Sequence, residues 1–499
     1  MSLDELKARL SELNNVNRAA AILGWDQQTM MPPGGAEARA RQLGTLSKIA
    51  HEIQTADETG RLIEDAKKEV AGMDYESDDA ALVRAAEYDY EQATKLPTDL
   101  VVAIMETTTL AHEVWVEARA NNDFEHFRPM LEKIFDLTHQ MVECFGYKEV
   151  PYDALLDQYE RGMPTREVKR LFDELKQELV PLVKAIAENQ DAVDDSVLHR
   201  SYPIDKQREF GEKVVSAYGF DFKRGRQDLA VHPFCTHFSA NDVRITTRFD
   251  PNWINPALFG TMHESGHGMY EQGIAQNLDN SILGSGTSLG VHESQSRMWE
   301  NIVGRSRGFW GHFYPELQAL FPDALNGVTV DTFYKAINKS YPSFIRVEAD
   351  EVTYNLHIMV RFELEQAIMN GELAIKDLPA AWNAKFEDYL GIVPPNDAQG
   401  VLQDVHWSSG LIGYFPTYSL GNLLSVQFYD KAVQEHPEIP NEIARGKFDT
   451  LLNWLRVNIH QHGRKFTPQE LVQHVTGTSI QTGPFMRYLT EKYTDIYNL

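Results

Sequence analysis

The segment His263-Glu264-Ser265-Gly266-His267 sets two imidazoles four positions apart, with a carboxylate beside the first. On a helix, residues four apart differ by about 40° around the axis, so both rings leave one face. Two neutral imidazoles placed this way can hold one Zn²⁺, and the Glu between them can hold and deprotonate a water. The same spacing also arises in a helix whose histidines are simply hydrogen-bonded in a core. A catalytic zinc takes three protein ligands and keeps one position open. In one large class of such hydrolases, Gly and His stand three and six residues after the second His, but here those places hold Tyr270 and Gly273. The third ligand is therefore sought in a later carboxylate. Glu293 in His292-Glu293-Ser294-Gln295-Ser296-Arg297 is the first choice, and Glu271 and Glu300 are rivals. Glu293, Arg297 and Glu300 also share a helical face at i, i+4 and i+7, the pattern of a surface ion-pair ladder.

Positioning such a set needs helices, and helical signals dominate the chain. Leu3, Leu6, Leu10 and Leu13 recur at spacings of three and four behind Ser2 and Glu5, a capping-box pair. Thr467-Pro468-Gln469-Glu470 repeats that start signal. Helix-compatible stretches run over about 36–54, 78–94, 98–121, 126–145, 165–189, 205–218, 255–273, 291–305, 346–370 and 442–462. Asp242–Phe249 is the clearest strand, and no repeat or low-complexity linker interrupts the pattern. The expected fold is mainly α, a single bilobed helical domain over 1–499 with a small β-sheet near the metal site.

The chain has 499 residues, 47 Lys plus Arg against 73 Asp plus Glu, and a formal balance of −26. With 42% hydrophobic residues it is too apolar for a disordered protein and long enough for a large core. The acidic balance argues against nucleic acid and anionic membrane as partners. Two cysteines, Cys144 and Cys235, make no disulfide framework. The opening MSLDELKARLSEL lacks the basic and apolar regions of a signal peptide, and no apolar run is long enough for a membrane span. A cytoplasmic location is expected.

The blocks together resemble the carboxypeptidase Taq family of metallocarboxypeptidases. That family carries H-E-x-x-H followed by H-E-S-x-Q, matched at His263–His267 and His292–Gln295. Asp242-Val243-Arg244-Ile245-Thr246, His232-Pro233-Phe234, Ile345-Arg346-Val347-Glu348-Ala349-Asp350 and Gly400-Val401-Leu402-Gln403-Asp404-Val405-His406-Trp407 match further blocks. Leu23-Gly24-Trp25-Asp26-Gln27, with Met31-Pro32 and Gly34-Gly35-Ala36, is similar to the family's opening segment. The likeness runs in order along nearly the whole chain.

The resemblance implies a helical, bilobed, homodimeric enzyme with a long substrate groove, whose wall or lid would include residues 1 to about 125. It implies removal of C-terminal residues one at a time, with broad preference and poor action at proline. One Zn²⁺ or Co²⁺ per chain would be held by His263, His267 and Glu293, with Glu264 as general base. Peptides with a free C-terminus would be the substrates.

Further roles follow from what amide hydrolysis requires. An oxyanion needs a donor besides the metal; His406 is the first candidate, with Tyr414 and Tyr418 just downstream. Metal-bound histidines usually donate their other N–H to a carboxylate, for which Asp242 and Asp350 are candidates, although Arg346 and Asp350 stand at i, i+4 and would pair if helical. A terminal carboxylate suits the planar fork of an Arg; Arg346, Arg244 and Arg297 are candidates in that order, and an acidic body needs such residues to attract it. The Asp242–Phe249 strand would offer an edge for the substrate backbone. Two alternatives stand beside this reading: a related helical zinc oligopeptidase or dipeptidyl carboxypeptidase, and a catalytically inactive scaffold stabilised by its metal.

Overall fold

A computed structural model describes residues 2–499. Contacts divide the chain into two compact units, each assembled from three stretches. The first comprises residues 1–94, 194–337 and 425–479, and the second 95–193, 338–424 and 480–499. Residues 1–125, read from sequence as one segment, are thus shared between the two units.

In the first unit, Leu3, Leu6, Leu10 and Leu13 form the buried stripe of the helix Ser2–Thr29. Their spacing of three and four residues aligns them on one face. That face joins a core with Leu62, Ile63 and Ala66 of the helix Asp57–Val70 and with Ile274, Leu278 and Leu283. The last three lie in the connection between the helices that carry the two His-Glu motifs. Arg18 adds an ion pair to Asp279 at 3.2 Å in the same connection. The N–H groups of Ser2 and Leu3 donate to Glu69 at 2.9 and 3.3 Å, so a neighbouring helix satisfies the start expected to be capped by Glu5. The second expected box, Thr467 with Glu470, forms in full.

The sheet of the first unit has three strands, β1 (Gly225–Leu229), β2 (Cys235–Ser239) and β3 (Asp242–Thr247). Their order is β1-β3-β2, with β1 parallel and β2 antiparallel to β3. Val243 and Ile245 are fully buried on β3, and the helix Asn255–Gly273 packs across that strand. β3 is flanked on both sides. The strand read from sequence as an edge is therefore central, and the edge strands are β1 and β2.

The second unit is helical, with long helices at Thr98–Asn121, Phe124–Phe145, Thr165–Glu188, Tyr354–Met369, Leu378–Leu390 and Gly483–Tyr497. The expected fold class, mainly α with a small sheet beside the H-E-x-x-H helix, is the one observed. Two expected helices are interrupted. The 346–370 stretch makes only a short turn at Arg346–Glu348 before Tyr354, because Asp350 accepts N–H bonds from Val352 and Thr353 at 2.9 and 3.1 Å. The 442–462 stretch breaks at Gly446, whose φ of 67° suits glycine and ends the helix Ile439–Ile443. Among the described residues, no helix is long and apolar enough to cross a membrane.

Candidate metal centre

The helix Asn255–Gly273 carries His263, Glu264 and His267, and the helix Leu289–Arg297 carries Glu293. The first is nearly all buried, so its polar groups must find partners inside the protein. His263 Nε2 and His267 Nε2 lie 3.5 and 3.4 Å from Glu293 Oε2. The three ligand atoms fall within 4.8 Å of one another. Zinc bonds of about 2.0–2.1 Å at the tetrahedral angle put ligand atoms about 3.3 Å apart. Both histidine-to-carboxylate separations already have that size, and the donor set is two imidazoles and a carboxylate. The residues fit a divalent ion.

What brings the two helices this close is Gly266. A Cβ there would stand 2.6 Å from Ser296 Cα and 2.7 Å from Gln295 O. The two backbones touch, and Glu293 reaches the imidazoles because no side chain separates them. Gly266→Ala should push the helices apart and lower stability by about 1–3 kcal/mol, the usual cost of overpacking. It should also weaken zinc binding, measured by chelator competition. Unchanged affinity would show that Glu293 reaches the imidazoles without this contact.

The other ring nitrogens are held too. His263 Nδ1 lies 2.8 Å from Glu300 Oε2, and His267 Nδ1 lies 2.6 Å from His292 Nδ1. His292 Nε2 in turn lies 2.7 Å from Glu271 Oε1. Arg297 donates to Glu293 Oε1 at 2.7 Å and to Glu300 Oε2 at 3.1 Å. The i, i+4, i+7 ladder is therefore real, but it is buried and packed against the imidazoles. Glu300 and Glu271, the rival ligands, lie against the rings of His263 and His292. Glu300 sits in a π-helical turn, Met298–Val303, marked by the five-residue bond from Gly304 N–H to Trp299 O at 3.0 Å.

Burial pushes the Glu264 carboxyl up to about 7; the Glu293 and Glu300 charges push the same way, against His263. A base poised near neutrality is what proton transfer at that pH favours. Burial also holds His267 down to about 4, a neutral ring ready to ligate. Glu300 falls to about 2, because Arg297, His263 and Arg305 outweigh its burial.

Asp242 and Asp350 do not support the imidazoles. Asp242 takes both Arg244 bonds, at 2.9 Å each. Asp350 accepts from Tyr341, Val352 and Thr353 in the loop before Tyr354, and it does not pair with Arg346. The three candidate arginines each hold a carboxylate of this chain. Arg297 is tied to Glu293 and Glu300. Arg244 is bound to Asp242, with Trp25 and Phe238 rings 4.3 and 4.8 Å from its guanidinium carbon. Arg346 is buried, its fork on Asp404 at 2.8 and 3.0 Å and on Tyr354 at 2.8 Å.

His406, Tyr414 and Tyr418 cluster within the second unit. His406 Nε2 lies 3.4 Å from Tyr418 Oη, and the His406 and Tyr414 ring centres are 5.4 Å apart. Burial takes His406 down to about 4, with Arg346 and Arg361 adding to it and Asp404 opposing. Glu365 anchors this segment. It accepts from Trp407 Nε1 at 2.7 Å, Gly413 N–H at 3.0 Å and Tyr152 Oη at 2.6 Å.

Burial outweighs those three donors and raises Glu365 from 4.5 to about 7. Its protonated form is thus the one the fold favours. The associated stability is present below about pH 4.5 and lost as pH rises through about 7, up to about 3 kcal/mol. Glu365→Gln should remove that slope from urea unfolding measured at a series of pH values. A slope equal to the parent's would mean that folding leaves the proton affinity of Glu365 unchanged.

The profile of the Carboxypeptidase Taq (M32) metallopeptidase family matches residues 5–493. The chain belongs to this family. M32 membership makes it a metallocarboxypeptidase and implies a divalent metal, for which His263, His267 and Glu293 form a candidate site. It is 44% identical to Thermostable carboxypeptidase 1 of Thermus thermophilus, over 96% of this chain and 95% of that protein. It is 39% identical to Carboxypeptidase 1 of Bacillus subtilis, over 98% and 97%. The crystal structure of the M32 carboxypeptidase from Deinococcus radiodurans R1 superposes with a TM-score of 0.97 at 41% identity, covering both chains in full.

Several residues around this candidate site escape a reading of motifs alone. His292 is visible only as part of a block, and nothing in its spacing shows that it backs His267. His460, whose Nε2 lies 2.9 Å from Gln295 Oε1, comes from a distant stretch and carries no pattern. Glu271 had a signal: it follows His263 and His267 at the same interval of four and therefore shares their face.

Proposed function

We propose that this M32 member releases single amino acids from the free C-termini of peptides, with broad side-chain preference. The carrying observation is the trio His263, His267 and Glu293 at tetrahedral spacing, with Glu264 beside it on the same helix. A Zn²⁺ or Co²⁺ held by the trio would acidify a water and polarise the scissile carbonyl. Glu264 would take a proton from the attacking water and pass it to the leaving nitrogen. The family resemblance alone supports His406 as oxyanion donor, with Tyr414 or Tyr418 as its assistant. The terminal carboxylate is assigned to Arg346, Arg244 or Arg297, each of which would exchange part of its present carboxylate bonding. The substrate backbone would pair along the outer edge of β2, the strand whose Cys235 feels the charges of Glu264 and Glu271. The family resemblance supports a homodimer, which sedimentation would check.

The test is hydrolysis of one peptide with a free and with an amidated C-terminus, before and after chelation, with products read by mass spectrometry. Single amino acids from the free peptide alone, lost with chelator and regained with metal, support the reading. Dipeptides would shift it to a dipeptidyl carboxypeptidase, internal fragments to an oligopeptidase, and no release at all to an inactive scaffold.

A further inference from the structure

The two imidazoles of the trio are backed differently. His263 meets a carboxylate directly, at Glu300. His267 meets another histidine, at an Nδ1-to-Nδ1 distance of 2.6 Å. A contact that short between two ring nitrogens needs one proton, and the surroundings say which ring carries it. His267 Nε2 faces Glu293 and must offer a lone pair to a metal. A neutral His267 then has its proton on Nδ1, pointing at His292. His292 must accept at Nδ1, so its own proton sits on Nε2, 2.7 Å from Glu271 Oε1. The chain ends on a buried carboxylate. Its other oxygen lies 3.3 Å from His237 Nδ1 on β2, at ion-pair distance. The opposite polarity would put a proton on His267 Nε2 and block ligation.

The surroundings are built for this ring. The His292 ring lies against those of His267 and Tyr270, with centres 4.7 and 5.0 Å apart. A Cβ at Gly286 would stand 2.7 Å from His292 Cδ2 and 2.9 Å from Tyr270 Cε1, so the ring lies where only glycine leaves room.

We propose that His292 and Glu271 are positioning residues that set the tautomer and orientation of His267, so that its Nε2 faces the metal. Neither belongs to the trio His263, His267 and Glu293. The inference rests on His263, His267 and Glu293 being the ligands.

The test measures zinc affinity by chelator competition on the full-length protein, with the visible spectrum of the Co²⁺-loaded form as a second readout. His292→Phe keeps a flat ring and removes both nitrogens; it should weaken zinc about 10–100-fold. His292→Asn returns an acceptor near the Nδ1 position and should recover most of the loss. Glu271→Gln keeps an acceptor for His292 and should stay close to the parent, whereas Glu271→Leu should weaken zinc as His292→Phe does. The Glu271 pair decides the matter if His292→Phe does not fold. Parental affinity in His292→Phe or Glu271→Leu, or no recovery in His292→Asn, overturns the positioning role. A parent protein that binds no zinc overturns the ligand set and this inference together. A parent that binds zinc while His292→Phe binds it equally well overturns this inference alone.

Discussion

Glu264→Gln should keep its zinc and lose about four orders of magnitude in kcat, the upper end of what a positioned general base contributes. Gln has the volume of Glu and can still hydrogen-bond a water, so the neighbouring ligands are undisturbed. It cannot take a proton. The parent carboxyl, held near 7 by burial and by two neighbouring acids, changes charge in the range where a base works. Zinc stoichiometry and turnover of an unblocked peptide, measured on one preparation, check this. A variant with full zinc and kcat within tenfold of the parent would remove Glu264 from the proton path. A variant without zinc would make it a ligand.

Glu293→Gln should fail earlier, at metal binding. Glu293 is the only carboxylate of the trio, held well below the usual carboxylate range because Arg297, His263 and His267 outweigh its burial. Gln leaves an oxygen for Arg297 but brings no charge to a divalent ion. The loss in zinc affinity should exceed the roughly 10–100-fold that a supporting residue costs. Activity should follow metal occupancy and return in part with excess zinc. Affinity equal to the parent would hand the third position to Glu300 or Glu271.

The candidate trio was legible because helical periodicity turns a spacing of four into a shared face, and because one later block supplied a carboxylate. The long amphipathic helices were legible for the same reason. Supports of the imidazoles were not. Asp242 and Asp350 have the right residue type for that task, but each has a nearer partner in its own strand or loop. Glu300 and His292 win because tertiary packing, through Gly266 and the π-turn, brings a second helix against the first. β1 and β2 are five residues each and too short to show alternation. The strand that did show it is central because both of these short strands pair with it. The failure at Asp350 is local: its side chain competes for the N–H bonds that a continuous helix would have used.

The π-turn at Met298–Val303 carries a cost the rest of the molecule must absorb. Ordinary α-winding is the more stable geometry, and a turn that closes over five residues holds one residue too many. Excising Met298 or Trp299 would regularise the helix, yet it would rotate Glu300 by about 100° relative to Glu293 and Arg297. The smoother helix would leave His263 without its carboxylate. A design effort that scored only regularity would choose that deletion, so here the search for a sturdier protein and the search for a working one point in opposite directions.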